Sequence, residues 1–87
     1  MVFLTNDWEH FKNYVENCRV GTYQTKATIE GVKISVLAGR LGFVKTFPPQ
    51  EERKEEDTLL LSEILQFCKL RDFIEVIGSI PDEQFHS

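Results

Sequence analysis

Eighty-seven residues, 41% of them apolar, 28% charged and 11% aromatic, supply one hydrophobic core and leave no room for a second. That composition excludes a collagen-like, low-complexity or wholly disordered chain, because there is enough apolar surface to offset the entropy of ordering. Ten Lys and Arg against fourteen Asp and Glu leave a net charge of −4, an adverse balance for a nucleic-acid binder, whose affinity comes largely from neutralised phosphates.

The first predicted element is a helix over about Asp7 to Cys18. Asn6 is placed to cap it, with Glu9 three residues on as the reciprocal partner. Trp8, Phe11, Val15 and Cys18 then recur at helical spacing as one apolar stripe with Tyr14 on its flank. Gly21 is a natural stop just beyond.

From Val20 the period changes to two. Tyr23, Thr25, Ala27 and Ile29 alternate with Gln24, Lys26, Thr28 and Glu30, and after Gly31 the residues Val32, Ile34 and Val36 alternate with Lys33 and Ser35. A β-hairpin follows, with a two-residue turn at Glu30-Gly31 that pairs Ile29 with Val32, Ala27 with Ile34 and Thr25 with Val36. A second turn at Ala38-Gly39-Arg40 leads into Leu41 to Phe47, with Leu41, Phe43 and Phe47 on one face. The expectation is a three-stranded antiparallel meander with one wall available for helices.

Pro48-Pro49 ends the third strand. Residues 48–57 read as a charged linker, and its acidic end merges into the first turn of a second helix, where the macrodipole favours carboxylates. Leu60, Leu61, Ile64, Leu65, Phe67 and Cys68 give that helix a broad apolar face suited to a core. The phase breaks near Lys69–Asp72, so Phe73 to Ile80 reads as a separate short strand or helix that Pro81 ends, and 82–87 as a frayed tail. The expected fold is α+β, one domain over 1–87, with both helices packed on one face of the sheet. The order helix–strand–strand–strand–helix over about residues 7–70 resembles that of double-stranded-RNA-binding domains. That family's second helix opens with a basic phosphate-gripping cluster, whereas Glu55-Glu56-Asp57 stand at that place here, so the resemblance does not carry the function over.

No apolar run approaches the roughly 20 residues of a membrane span, and the start of the chain has no basic residue ahead of its apolar stretch, so a soluble, intracellular protein is expected. Cys18 and Cys68 both fall on helix stripes and read as core thiols. No Ser/His/Asp or Cys/His pair can be argued from spacing, and His10 and His86 do not combine with the cysteines at a zinc-site spacing. No catalytic residue, metal or cofactor is therefore expected.

The charge is uneven: residues 1–48 carry six basic and four acidic side chains, residues 49–87 four basic and ten acidic. The acidic half holds a dense segment, Glu51, Glu52, Glu55, Glu56 and Asp57, beside a leucine-rich helix, a combination that can steer towards and dock on a basic protein surface. Acidic single-domain proteins of this size include virus- and phage-encoded nucleic-acid mimics, an analogy of size and charge alone. The favoured expectation is a non-catalytic protein-binding module: a small inhibitor, adaptor or accessory subunit. The alternative is nucleic-acid binding through a sheet face bearing Lys26 and Lys33 with Arg40 and Lys45, although no aromatic stacking platform stands between the lysines. Gly39-Arg40-Leu41-Gly42 near Lys45 could offer backbone N–H groups to a phosphate, but between two strands the glycines more simply serve a turn and a bulge. Edge strands that pair in a homodimer are a further possibility.

Overall fold

The computed structural model of the chain describes residues 2–76. In chain order the elements are β1 (Phe3–Thr5), α1 (Trp8–Tyr14), β2 (Thr22–Thr28), β3 (Gly31–Ala38), β4 (Leu41–Phe47), a 3-10 turn over Gln50–Glu52, α2 (Glu55–Leu70) and β5 (Ile74–Glu75). The expected meander is present as β2-β3-β4, but it is the centre of a five-stranded mixed sheet in the order β1-β4-β3-β2-β5. The chain thus enters a strand before its first helix. β1 runs parallel to β4, with Phe3 opposite Leu41, and β5 runs parallel to β2, with Thr22 opposite Ile74. Strands of three and two residues show no periodicity of their own, and tertiary pairing alone defines them.

The hairpin differs from its expected register by two residues. Thr28 pairs with Gly31, Ala27 with Val32, Thr25 with Ile34 and Tyr23 with Val36, so Ile29-Glu30 is the turn. The Thr28 hydroxyl holds it, donating to the Gly31 carbonyl at 3.0 Å and accepting from the Glu30 N–H at 3.2 Å. Ile29, expected in the wall, is 98% exposed. Gly31 opens β3 with φ +135°, and a Cβ there would lie 1.9 Å from the Phe47 carbonyl oxygen. Its missing side chain serves the close approach of β4 as well as the turn. A two-residue shift preserves parity, so the expected faces survive. Tyr23, Ile34, Val36, Leu41, Phe43 and Phe47 are all buried on one of them.

Both helices lie on that face, as expected. Trp8 stacks on Phe11 at 5.6 Å and meets Phe43 and Phe67 edge-on at 5.1 and 5.0 Å, which ties α1, the sheet and α2 together. Ile64, Phe67 and Cys68 of α2 are buried, and Leu60, Leu61 and Leu65 pack partly against the core. Full burial of a large apolar side chain, as at Phe43 and Ile64, contributes about 1.5–3 kcal/mol.

Helix α1 is shorter than its stripe. Asp7, not Asn6, caps it, its side chain accepting from the His10 N–H at 3.2 Å, while Glu9 binds Lys12. The chain leaves the helix after Tyr14, and a turn with Cys18 N–H donating to the Val15 carbonyl still carries Val15 inward to full burial. Arg71 closes this end: it donates to the Glu16 carbonyl at 2.9 Å and lies over the Phe67 ring at 3.8 Å. The expected charged linker is ordered, as the 3-10 turn and the first turn of α2. The expected break after α2 is present at Arg71-Asp72, with Asp72 at φ +57°. The readings of residues 77–80, Pro81 and the 82–87 tail lie outside the described residues.

Candidate functional site

The acidic segment forms a ledge at the N-terminal end of α2. Glu51 and Glu52 sit in the 3-10 turn, and Glu55, Glu56 and Asp57 in the first turn of the helix, where the unpaired N–H groups and the macrodipole favour them. Glu51, Glu52, Glu55 and Glu56 are exposed and Asp57 is half-buried. Arg53 lies between the two pairs, but its Nε donates to the Pro48 carbonyl at 3.2 Å. The ion pairs among the described residues are Lys12–Glu9 at 3.2 Å and Lys12–Glu63 at 3.5 Å, and neither involves the ledge. Leu59, 63% exposed, stands one helical turn beyond Glu55 and Glu56. All five acidic residues that the sequence singles out thus stand at or just before the N-terminal end of α2, with the exposed Leu59 about a turn beyond.

The four basic residues do not gather. Lys26 and Lys33 are directly opposite on the face away from the helices, Lys26 exposed and Lys33 half-buried. Lys45 pairs with Ile34 and so belongs to the helix-side face, where its Nζ lies 5.5 Å from the Phe47 ring. Arg40 is in the β3–β4 turn, about 20 Å along the strand direction from Lys33 at the usual rise per residue. Gly39 takes φ +62° in that turn. Gly42 is buried in β4 opposite Leu37 in unbroken register, so the turn expected at Gly39 is present and the bulge expected at the second glycine is not.

Among the described residues the aromatic side chains fall into two groups. Trp8, Phe11, Tyr23, Phe43, Phe47, Phe67 and Phe73 are buried, whereas Phe3 and Tyr14 are 57% and 62% exposed. These two line one cleft of about 410 Å³ together with Leu4, Thr5, His10 and Leu41. Sequence reasoning missed this cleft because it needs β1. The usable signal was the short uncharged stretch Val2-Phe3-Leu4-Thr5 ahead of the helix.

The environment shifts three titratable groups, two of them in the interior. Cys68 is buried and free, and burial pushes its thiol up to about 12, with Arg71 nearby opposing the shift. Burial also raises Tyr23, and the Glu75 carboxylate adds to it. Lys12 is raised chiefly by its hydrogen bond to Glu9, with Glu63 adding to the effect. Glu63 also accepts from the Trp8 indole N–H, so one carboxylate joins α1 to α2. Among the described residues no cluster of three His, Cys, Asp or Glu side chains is arranged to hold a metal ion, and no helix is long and apolar enough to cross a membrane. Comparison of the chain with protein-family models, curated proteins and solved structures finds no match in any of the three.

Proposed function

We propose that the chain is a non-catalytic protein-binding module, a small acidic inhibitor, adaptor or accessory subunit that engages a basic surface through the ledge at Glu51, Glu52, Glu55, Glu56 and Asp57. The observation that carries this reading is a local excess of negative charge: residues 51–57 hold five carboxylates against Arg53 and Lys54, and none of the five takes part in the ion pairs among the described residues. Such a patch raises the encounter rate with a positive partner and repels a negative one. The neighbouring Leu59 supplies apolar area that a partner can desolvate after encounter.

The test is affinity capture from native extract, with and without nuclease, using the parent chain and a variant with all five acidic residues changed to Gln or Asn. A stoichiometric protein partner that survives nuclease, weakens with salt and is lost by the neutralised variant supports the reading. Retention of that partner by the variant refutes it.

A second reading is nucleic-acid binding through the open sheet face, and Lys26 opposite Lys33 is the observation that favours it. Like charges directly opposite destabilise a strand pair unless an anion bridges them. Captured material that vanishes with nuclease, and is lost in Lys26→Gln/Lys33→Gln, would move the assignment to that face.

A further inference from the structure

β1 is the outermost strand on one side of the sheet. Phe3 N–H donates to the Arg40 carbonyl at 2.8 Å, and Phe3 and Thr5 lie opposite Leu41 and Phe43 in parallel register. The alternation of a parallel ladder therefore turns the Leu4 N–H and C=O outward, away from β4. Clefts flank this edge on both sides of the sheet. The helix-side cleft is the one lined by Phe3 and Tyr14, and on the opposite side a second, of about 430 Å³, is lined by Leu4, Thr5, Asn6 and Val44. An added strand sends alternate side chains to opposite faces, so it would place side chains in both clefts.

We propose that β1 is a homodimerisation edge, at which two copies of the chain pair antiparallel about a two-fold axis at Leu4 and join their sheets into one. Each Leu4 N–H then donates to the Leu4 carbonyl of the other copy, the reciprocal pair that an isologous contact requires. Phe3 falls opposite Thr5 of the second copy and enters its helix-side cleft beside His10 and Tyr14. The two Leu4 side chains meet on the other face beside Val44. The strand thus carries apolar side chains of the kind that line its own clefts, so a second copy is the occupant whose contacts are self-complementary.

Charge points the same way. Each copy carries −4, which opposes association over most of the surface. The strand and both cleft linings contain no Asp, Glu, Lys or Arg, so two copies can meet here without like charges in contact. Edge strands that stay unpaired are commonly guarded by charge. β5 at the opposite edge has Glu75, whereas β1 carries no charged residue.

Sedimentation equilibrium of the full chain from about 10 µM to about 1 mM spans the affinities expected of so short an edge. The mass should rise from 10.1 kDa towards twice that value with concentration. Phe3→Lys and Leu4→Lys, both at exposed positions, should each weaken association at least tenfold, while Ile29→Lys in the distant β2–β3 turn leaves it unchanged. On the parent chain, hydrogen exchange at the Leu4 amide should slow as concentration rises. A monomer at every concentration overturns the proposal, as does a dimer indifferent to both β1 variants or a Leu4 amide whose exchange ignores concentration. A monomer that instead takes an extended apolar peptide along β1 assigns the edge to a different occupant and equally overturns it.

Discussion

Replacing Gly31 with Ala should remove a large part of the stability of this domain. The residue sits at φ +135°, a region whose occupation by a side chain costs about 1–3 kcal/mol. The new Cβ would also lie 1.9 Å from the Phe47 oxygen and 2.9 Å from the Pro48 carbonyl carbon, both backbone atoms that cannot swing aside. Relief requires the end of β4 to draw back from β3 and loosen the fully buried Phe47, a further cost of about 1–3 kcal/mol. The total, about 2–6 kcal/mol, compares with a whole-domain stability of about 4–13 kcal/mol for this length. Gly39 is the internal control: it has φ +62° but nothing within 4 Å of the point a Cβ would occupy, so Ala there should cost only about 1–2 kcal/mol. Urea unfolding followed by the fluorescence of the single Trp measures both changes, provided the slope with denaturant is unchanged. Gly31→Asn is the decisive variant. Asn is tolerated in a two-residue turn centred on Glu30-Gly31, but not where the backbone of β4 fills the space. A loss below about 1 kcal/mol for either Gly31 variant would refute the argument, since φ strain alone should exceed it.

Three further outcomes follow from Cys68 and from the Trp8–Glu63 contact. Native Cys68 should react with a thiol reagent at pH 8 about a thousandfold more slowly than the same residue in urea, from thiolate fraction alone; peptide mapping that finds it labelled as fast as in urea would contradict its burial. Because the folded state holds this proton longer than the unfolded one, stability is retained below about pH 9 and falls as pH rises towards about 12, by up to about 1.4 kcal/mol per pH unit. Cys68→Ala should flatten that decline in urea midpoints measured across the alkaline range. Glu63→Ala should destabilise by about 1–2 kcal/mol and shift the Trp8 emission, because it removes the acceptor of the indole N–H and one partner of Lys12; Glu63→Gln, which keeps an acceptor, should lose less, and equal losses would show that the hydrogen bond is not what matters.

Much of the fold was legible where side chains repeat over several turns or several strand residues. The stripe of Trp8, Phe11 and Val15 marked the buried side of α1, and the alternation through β2, β3 and β4 marked the core face. The five carboxylates of the ledge were legible as a site because they are neighbours in sequence and stay neighbours in space. The basic residues were not, since their spacing of five to seven positions does not say which end of the sheet each one reaches. Lys45 shares the parity of Phe43 and Phe47, and that parity takes it to the helix side.

The sequence by itself determined the properties that local periodicity encodes: which side of each long element is buried, where Pro48-Pro49 and the break after Leu70 interrupt the chain, and where negative charge accumulates. The tertiary structure alone decided the hairpin register, because a slip of two residues leaves every side chain on the same face and the pattern cannot register it. It alone decided the five-stranded sheet as well. β1 and β5 are too short to carry a pattern, and they exist because the outer backbone groups of β4 and β2 offer hydrogen bonds to segments distant in sequence. The exposed β1 edge, with Phe3 and Tyr14 beside it, is a consequence of that pairing.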